Sequence, residues 1–249
     1  MTTSQIDSPS PLKAGSRREH AQAVREMFSA IAPRYDLLNH LLSLNIDRSW
    51  RRKAVKRLGW ERSPGGLYLD ACTGTYDLAI EIARCPGFAG KVVAADFAGA
   101  MLHEGRRKIG RQPVIPVCAD ALTLPFAACT VDGAVVGFGV RNLADIDAGL
   151  SELRRVLRPG ARVVILDFAT PVHQPLRGIY LLYFTRVLPF LGRLISKHSY
   201  AYKYLPDSVM RFPAPEQVGE RLESAGFTDV EWVGLTGGIA CLWWGCRPR

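Results

Sequence analysis

The sequence lacks any pair of cysteines with the C-x-x-C spacing, although it contains six cysteines. That scatter argues against both a zinc site and the disulfide framework of a secreted protein. We therefore expect no bound metal and reduced thiols, as in a cytoplasmic protein. The cysteines are Cys72, Cys85, Cys118, Cys129, Cys241 and Cys246.

Low-complexity tracts and fixed-period repeats are also absent, and the first 20 residues carry no apolar core of a signal peptide. The longest apolar stretch, residues 174–197, is interrupted by Arg186, Pro189 and Arg193. A membrane span needs about 20 mostly apolar residues with few charges. We interpret this stretch as an amphipathic insertion, either a pair of core helices or a lid that contacts substrate or membrane.

Acidic residues are outnumbered, which gives the 249-residue chain a formal charge of +9. An excess of this sign favours an acidic partner, either nucleic acid or the anionic face of a membrane. The densest basic run is "RSWRRKAVKR", residues 48–57. It is explained equally well as the solvated face of a helix.

The chain pattern predicts one α/β domain, doubly wound around a mostly parallel sheet. Residues 1–18 are polar and predict a disordered tail, and helical spacing over 19–60 predicts a helical region ahead of the sheet. Strands then alternate with helices, which is typical of βαβ units. The strands are predicted at 67–72, 91–97, 113–119, 131–138 and 161–168, and the helices at 77–84, 99–110 and 144–157, the last ending at "RPG". Two β-rich runs flank Gly237 and Gly238 near the end, which predicts an antiparallel hairpin at the sheet edge.

The stretch "LYLDACTGTYDLAI", residues 67–80, reads as a strand, a short loop and the start of a helix. In open α/β sheets, ligands bind at the carboxyl ends of the strands. Asp70 ends the strand, Gly74 lets the main chain approach a ligand closely, and Thr75 can hydrogen-bond or cap the helix. We expect all three to shape a ligand pocket.

Two further acids follow the next two strands. Asp96 lies where an acid reaches the two hydroxyls of a ribose, and Asp120 follows the third strand, where a carboxylate suits an adenine amino group. The loop lacks the G-x-G-x-x-G that a dinucleotide pyrophosphate needs. S-adenosylmethionine has no phosphate and carries a cation, so this acid-flanked loop favours it over a dinucleotide.

These motifs resemble the ubiquinone/menaquinone biosynthesis C-methyltransferases, from about residue 26 to the end. The resemblance is carried by "RYDLLNHLLSLNIDRSWRR", "LDACTGTYDLA", "AADFAGAML", "CADALTLPF", "FGVRN", "LRRVLRPGARVVILDF" and "YKYLPDSVMRFP". It implies a seven-stranded class I methyltransferase domain over 19–249, with a helical cap at 19–60 and a helical substrate lid at 171–213. It also implies cofactor contacts from Thr75, Asp96, Asp120 and Ala121, with Gly74 and Asp70 shaping the pocket.

The activity implied is S-adenosylmethionine-dependent C-methylation of a polyprenylated quinol, either demethylmenaquinol to menaquinol or the benzoquinol step of ubiquinone synthesis. Such an acceptor implies peripheral contact with the inner face of a membrane and no nucleic-acid partner, while monomer and homodimer both remain open. Arg141 and Asn142 are implied as the catalytic pair. A guanidinium is a poor base, so Arg141 would stabilise a phenolate or polarise a water, the alternative being a surface salt bridge. Tyr202 and Tyr204 would either line the acceptor pocket or serve only in packing.

Four positions depart from the family pattern. Tyr76 replaces a frequent glycine, and its bulk is expected to alter the methionine end of the pocket. Gly137 replaces a serine that contacts the cofactor in some members, and Asn45 and Asp47 replace a glycine and a histidine of the first motif.

Two rival functions are open on the sequence. A nucleic-acid methyltransferase would explain the positive charge, but "GFGVRN" stands where enzymes that methylate exocyclic amines carry an Asn/Asp-Pro-Pro-aromatic stretch. An inactive cofactor-binding scaffold of a quinone-synthesis complex is the other, and Tyr76 is the residue that favours it.

Overall fold

The structure, a computed structural model, describes residues 16–36, 43, 45–171, 174–183, 186 and 199–249. Of the tail predicted over residues 1–18, residues 1–15 lie outside this description. Residues 16–18 form the start of the first helix, with Ser16 as its N-cap. The Ser16 hydroxyl accepts from the Glu19 backbone N–H, and the Glu19 carboxylate accepts from the Ser16 backbone N–H. This reciprocal capping box satisfies two backbone donors that the helix cannot pair internally.

A seven-stranded sheet forms the centre of the molecule, in the order β3-β2-β1-β4-β5-β7-β6. The first five strands pair in parallel, and β7 pairs antiparallel with both β5 and β6. The sheet is therefore mixed, and the predicted C-terminal hairpin is confirmed. The strands are β1 (Leu67–Ala71), β2 (Lys91–Asp96), β3 (Val114–Cys118), β4 (Val131–Gly137), β5 (Leu157–Phe168), β6 (Thr228–Leu235) and β7 (Ala240–Cys246).

Helices cover both faces of the sheet. Those of the described residues are α1 (Arg17–Ile31), α2 (Ile46–Leu58), α3 (Asp77–Ala83), α4 (Gly99–Ile109), α5 (Ile146–Val156), α6 (Leu176–Leu182), α7 (Ser199–Arg211) and α8 (Pro215–Ser224). Short 3-10 turns include Val140–Asn142, directly after β4.

Side chains that alternate along the strands build two apolar layers. Tyr68 packs into the layer that contains Trp50 of α2, whereas the next residue, Leu69, packs into the layer that contains Leu150 of α5 and Val218 of α8. The central strands are thus buried on both sides, as is usual for parallel strands in α/β proteins. Their carboxyl ends are where a ligand site is expected.

One predicted boundary is wrong. Helix α5 ends at Val156, and "RPG" lies inside β5, which begins at Leu157 because that residue pairs with Val131 of β4. The guanidinium of Arg247 completes the end of α5 by donating to the carbonyls of Arg154, Arg155 and Leu157. The last carbonyls of the helix are therefore satisfied by a side chain that is distant in the sequence and not by a local capping motif.

The basic run at 48–57 forms much of α2. Its apolar residues, including Trp50 and Val55, are buried, while most of its cations are exposed. Arg57 lies over the ring of Trp244, 4.1 Å from its centroid. This arrangement agrees with the interpretation of the run as a solvated helix face.

The described part of the insertion after β5 is helical, in α6 and α7, and residues 184–185 and 187–198 lie outside the description. Among the described residues, no helix is both long and apolar enough to cross a membrane.

Candidate active site

A cleft of about 670 Å³, counting the space open to solvent, lies at the carboxyl ends of the central strands. Residues that follow β1, β2, β3 and β4 form its floor, and α1 contributes Ala21 and Phe28 to its wall. Of the residues predicted to contact a cofactor, Gly74, Asp96, Asp120 and Ala121 line it, and so does Asn142. The topology thus brings five of the eight predicted site residues to one opening.

The loop between β1 and α3 is built on left-handed backbone conformations. Gly74 has a φ of 58°, and Cys72 and Tyr76 have φ values of 56° and 72° although neither is glycine. Non-glycine residues in this region are strained, and such strain concentrates at ligand sites. A Cβ added at Gly74 would come within 3.4 Å of Met101 Cε and 3.6 Å of Tyr35 Cε1, so the bare backbone keeps this approach open.

Asp96 anchors that loop. Its Oδ2 accepts from the Gly74 backbone N–H at 2.8 Å, and its Oδ1 accepts from the Ala98 N–H at 2.9 Å. Burial raises the pKa of Asp96, and the two backbone hydrogen bonds act in the opposite direction. A carboxylate accepts about four hydrogen bonds, so the side chain has capacity left for two hydroxyls.

Asp120 is held in a similar way, although it is only half-buried. Its Oδ1 accepts from the Leu122 backbone N–H at 2.9 Å, which fixes the carboxylate beside Ala121 at the edge of the cleft. An acceptor in this position suits the amino group of a purine.

Two predicted site residues shape the loop without reaching the cleft lining. Asp70 is buried, and its Oδ2 accepts from Thr73 Oγ1 at 2.6 Å and from the Ala79 N–H at 2.9 Å. Thr75 donates its hydroxyl to Asp36 Oδ1 at 2.5 Å. Asp70 therefore fixes the loop from beneath, and a cofactor contact from the Thr75 side chain stays a prediction.

Tyr76 does not obstruct the cleft. Its ring is buried in the core, and its hydroxyl donates to the Leu102 carbonyl at 2.7 Å. This is contrary to the expectation that its bulk would alter the pocket. The tyrosine ring packs against α4, and Tyr76 is not among the residues that line the cleft.

Gly137 also has a structural explanation. It lines the cleft, and a Cβ at this position would overlap Leu78 Cδ1. A side chain at this position would therefore require the Leu78 side chain to move.

Arg141 forms a buried ion pair. Its Nη1 donates to Asp167 Oδ1 at 2.6 Å and to the Phe138 carbonyl at 2.5 Å, and its guanidinium lies 5.3 Å from the centroid of the Phe168 ring. Burial acts to lower the pKa of Arg141, but the charge of Asp167, its hydrogen bond and the nearby tyrosines together outweigh burial, and the pKa is raised. The side chain is a permanent buried cation, which excludes the surface salt bridge considered from the sequence.

Asn142, the next residue, lines the cleft. Its Nδ2 donates to the Phe138 carbonyl at 3.2 Å, and its Oδ1 accepts from the Tyr204 hydroxyl at 3.0 Å. Tyr204 comes from α7, in the insertion after β5. The side chain of Tyr202 lies outside the described residues.

The comparisons with known proteins agree with this geometry. The sequence profile of the ubiE/COQ5 methyltransferase family matches residues 16–247. The chain belongs to this family. A "Demethylmenaquinone methyltransferase" of Thermus thermophilus is 49% identical over 225 residues, which cover 89% of this chain and 100% of the relative. A "Ubiquinone/menaquinone biosynthesis C-methyltransferase UbiE" of Geobacter sulfurreducens is 46% identical over 231 residues, 91% of this chain and 89% of the relative.

Solved structures share the fold at lower sequence identity. A SAM-dependent methyltransferase from Aquifex aeolicus superposes with a TM-score of 0.58 at 21% identity, covering 79% of this chain and 89% of that one. Phosphoethanolamine N-methyltransferase 2 of Haemonchus contortus, solved with S-adenosylhomocysteine, superposes with a TM-score of 0.61 at 15% identity. The superposition covers 81% of this chain and 53% of that one. The family, the enzyme class and the cofactor predicted from sequence are confirmed: this member of the ubiE/COQ5 family is an S-adenosylmethionine-dependent methyltransferase.

The ubiE/COQ5 family site in this chain has an apolar side next to Asn142. Phe138 lines the cleft, and its ring centroid is 4.8 Å from that of Phe168 and 6.3 Å from that of Trp50. Phe168 also packs against Tyr180 of α6 and Val209 of α7. An aromatic wall therefore runs from the cleft to the described insertion helices.

A network of charged side chains beside the loop between β1 and α3 was not predicted from the sequence. Lys108 of α4 contacts Asp36 at 2.8 Å, Thr75 Oγ1 at 3.1 Å and Asp77. Asp77 in turn contacts Arg51 of α2 at 3.4 Å. The network joins the N-terminal region to the loop. One part of it was visible in the sequence, because Asp47 and Arg51 have the i,i+4 spacing of a helical ion pair, which the structure forms at 3.2 Å.

Proposed function

We propose that this chain transfers the methyl group of S-adenosylmethionine to a ring carbon of a polyprenylated quinol. The acceptor is demethylmenaquinol, which becomes menaquinol, or the corresponding benzoquinol of ubiquinone synthesis. The observation that carries the proposal is that one cleft combines Asp96 and Asp120 with Asn142, whose neighbour in the chain is the buried cation Arg141. The names of the relatives support the same chemistry.

The residues present fit the cofactor. Asp96 would accept the two ribose hydroxyls on the lone pairs that its backbone partners leave, and Asp120 would accept from the adenine amino group. Gly74 gives the ligand room at the main chain, and Ala121 adds a small apolar surface. When bound, S-adenosylmethionine would supply a methyl group on a sulfonium: transfer to the acceptor ring carbon would break the S–CH3 bond and release S-adenosylhomocysteine, and the ring carbon would then lose its hydrogen as a proton.

This chain would help chiefly by positioning the acceptor and favouring its ionised form. A ring carbon becomes nucleophilic when the neighbouring phenol loses its proton, and a phenol pKa near 10 leaves little phenolate at neutral pH. The amide N–H of Asn142 would donate to that oxygen, and the permanent charge of the neighbouring Arg141 would favour the anion. Although burial acts to lower the pKa of Arg141, the charge of Asp167 and the other nearby groups raise it, so the guanidinium does not serve as the base.

The acceptor's apolar body would lie along the aromatic wall. Phe138 and Phe168 offer an apolar surface beside Asn142, with their rings inclined at 37° to each other, and Phe168 also packs against Tyr180 and Val209 of the insertion. We therefore propose that α6 and α7 form part of a substrate lid and guide the prenyl tail toward the bilayer. Leu182 and Met210, which are 56% and 51% exposed, would face the lipid.

The rivals are less well supported. A nucleic-acid methyltransferase would need a stacking platform beside its basic helix, but the one aromatic of the basic run, Trp50, is buried. The inactive scaffold depended on Tyr76, whose side chain is buried away from the cleft. Methylation of a quinol remains the function that fits the residues.

The direct test is transfer of a labelled methyl group. The protein is incubated with methyl-labelled S-adenosylmethionine and, separately, with a demethylated naphthoquinol and a demethylated benzoquinol in detergent. Mass spectrometry should locate the label on a ring carbon of at least one acceptor. Label on neither acceptor, or on an oxygen, would contradict the proposal.

A test of the role of Arg141 needs a variant that keeps the charge of Asp167 neutralised. Arg141→Ala would leave a buried carboxylate without its partner, a change that costs about 3–5 kcal/mol. In Arg141→Lys the charge remains and the hydrogen bonds to Phe138 and Asp167 change, so we expect turnover to fall by about 10²-fold. Isothermal titration should give an unchanged dissociation constant for the cofactor, and unchanged turnover would remove Arg141 from the mechanism.

A further inference from the structure

The side-chain amide of Asn142 is held at both of its ends. Its Nδ2 donates one hydrogen to the Phe138 carbonyl at 3.2 Å, and its Oδ1 accepts from the Tyr204 hydroxyl at 3.0 Å. The Phe138 carbonyl also accepts from Arg141 Nη1 at 2.5 Å, a shorter hydrogen bond than the one it accepts from Asn142. The amide therefore depends on Tyr204 as its second anchor.

This arrangement decides which atom of the amide is left for a ligand. An amide carries two N–H donors and one carbonyl oxygen. One N–H is held by the Phe138 carbonyl, and the oxygen accepts from Tyr204 on one of its two lone pairs. With the oxygen turned toward Tyr204, the second N–H is the group that Asn142 would present to the cleft it lines. A free carbonyl oxygen there would instead repel an oxygen that becomes anionic.

Tyr204 is itself fixed where two helical regions meet. It is 3% exposed and packs against Val24 and Met27 of α1, together with Phe28 and Phe97. Phe28 and Phe97 both line the cleft. The hydroxyl thus reaches Asn142 from α7 only while α7 and α1 are packed together over the cleft.

We propose that Tyr204 is a positioning residue for methyl transfer: its hydroxyl holds the carbonyl oxygen of Asn142 away from the acceptor, so that an amide N–H meets the ring oxygen. The inference rests on the proposed function and adds a residue to it. It also links α7 to the reacting group, because the amide is correctly held only when that helix is in place.

The first test is Tyr204→Phe, which keeps the ring in its packing and removes the hydroxyl. Turnover of the quinol should fall by about tenfold, less than the ~10²–10³-fold seen when a transition-state donor is removed outright. The KM for the quinol should stay within about twofold, because the interaction strengthens in the transition state. Tyr68→Phe is the control, since the Tyr68 hydroxyl donates to the Trp60 and Ser63 carbonyls in the core, and its turnover should equal that of the unaltered protein.

The second test is a double-mutant cycle with Asn142→Ala. If Tyr204 acts through Asn142, adding Tyr204→Phe to Asn142→Ala should cause no further loss of turnover. An equal loss in both backgrounds, or unaltered turnover in Tyr204→Phe alone, would overturn the inference and leave the proposed function standing. Absence of quinol methylation by the unaltered protein would overturn both.

Should Tyr204→Phe fail to fold by circular dichroism, Asn142→Asp takes its place. It replaces the N–H by a carboxylate oxygen, so turnover should fall below that of Asn142→Ala. Turnover equal to or above that of Asn142→Ala would overturn the inference.

Discussion

Asp70 and Asp96 stand at the tips of neighbouring strands, are both buried, and differ in how their oxygens are used. Both oxygens of Asp96 accept from backbone N–H groups. Asp70 has its hydrogen bonds on Oδ2, while its buried Oδ1 has no hydrogen-bond partner in the described structure. The first arrangement favours a carboxylate that receives a ligand, and the second favours a protonated acid.

Replacing Asp96 by asparagine should weaken cofactor binding. The substitution replaces one acceptor oxygen by an N–H donor, so one ribose hydroxyl would lose its acceptor on binding, and a buried donor left without an acceptor costs about 1–3 kcal/mol. We expect the dissociation constant of S-adenosylmethionine, measured by isothermal titration, to rise by about 10- to 100-fold.

Asp132→Asn is the matched control for this substitution. Asp132 accepts from the Leu67 N–H at 2.8 Å, at the other end of β1 and away from the cleft. Its variant should bind the cofactor as the unaltered protein does. Equal affinity in all three proteins would remove Asp96 from the ribose site.

Asp70 should make stability fall as pH rises. Burial raises the pKa of Asp70 from 3.8 to about 7, so between these values the folded state holds a proton that the unfolded state has lost. The stabilisation is present below pH 4 and is lost as pH approaches 7. Its size is on the order of a few kcal/mol, since one pKa unit corresponds to about 1.4 kcal/mol.

Asp70→Asn tests this directly, because an amide cannot ionise. Urea unfolding at pH 5 and pH 8 should show a smaller drop in the free energy of unfolding for the variant than for the unaltered protein. Equal drops would show that Asp70 keeps its ordinary pKa in the folded chain.

The places of Asp70 and Asp96 near the ends of β1 and β2, and of Asp120 shortly after β3, were predictable from the sequence because the pattern of each strand is local. The partners that hold them were not. Thr75 bonds to Asp36, and Asn142 bonds to Tyr204 across 62 residues. Such contacts depend on packing between helices, for which a single sequence offers no periodic signal.

Helix α4 supports the loop between β1 and α3 by close contact at Gly105. A Cβ added there would lie 2.7 Å from Thr75 Cα and 2.8 Å from the Thr75 carbonyl oxygen. The helix and the loop therefore touch backbone to backbone, and the ring of Tyr76 closes the same contact. The position of α4 sets the position of the loop.

Gly105→Ala should push the loop from its place. We expect a loss of about 1–3 kcal/mol in stability, as for other overpacked cores. The affinity for S-adenosylmethionine should fall with it, because Gly74 moves relative to Asp96. Urea unfolding and isothermal titration measure the two effects.

Gly99→Ala, on the same helix, is the control. The nearest atom to its added Cβ is Cys118 Sγ at 3.9 Å, an ordinary contact. It should bind the cofactor normally and change stability by less than about 1 kcal/mol. If both alanine variants behaved alike, the close contact at Gly105 would have no part in shaping the loop.

Strands and helices were predicted to within about two residues where the pattern is regular, as at β1, β2 and α3. The start of β5 was missed because pairing with β4 extends the strand through Pro159 and Gly160, residues that locally favour a turn. Tertiary pairing overrode local propensity there.

Helix α1 packs against Tyr204 of α7 at the carboxyl ends of the central strands, where Phe28 of α1 lines the cleft. Exposed Leu182 and Met210 lie on α6 and α7 of the same insertion. A bilayer-borne acceptor would approach at this end. The positive charge of the chain would favour an anionic surface.

Flotation with vesicles should therefore depend on lipid charge and on these two side chains. Binding to phosphatidylcholine vesicles should increase when phosphatidylglycerol is added and decrease with salt. Leu182→Ser with Met210→Ser should bind less. Trp232→Ser, which alters a 42% exposed residue on the edge strand β6, should bind like the unaltered protein. Flotation insensitive to anionic lipid and to both substitutions would count against membrane contact.

A crystal structure with S-adenosylhomocysteine and a quinol analogue would test the site as a whole. The ribose hydroxyls should lie within hydrogen-bond distance of Asp96 and the adenine amino group at Asp120, with the sulfur directed to the side of Asn142 and the quinol ring against Phe138. A nucleoside bound outside this cleft, or a quinol ring with no contact to Asn142, would contradict the account.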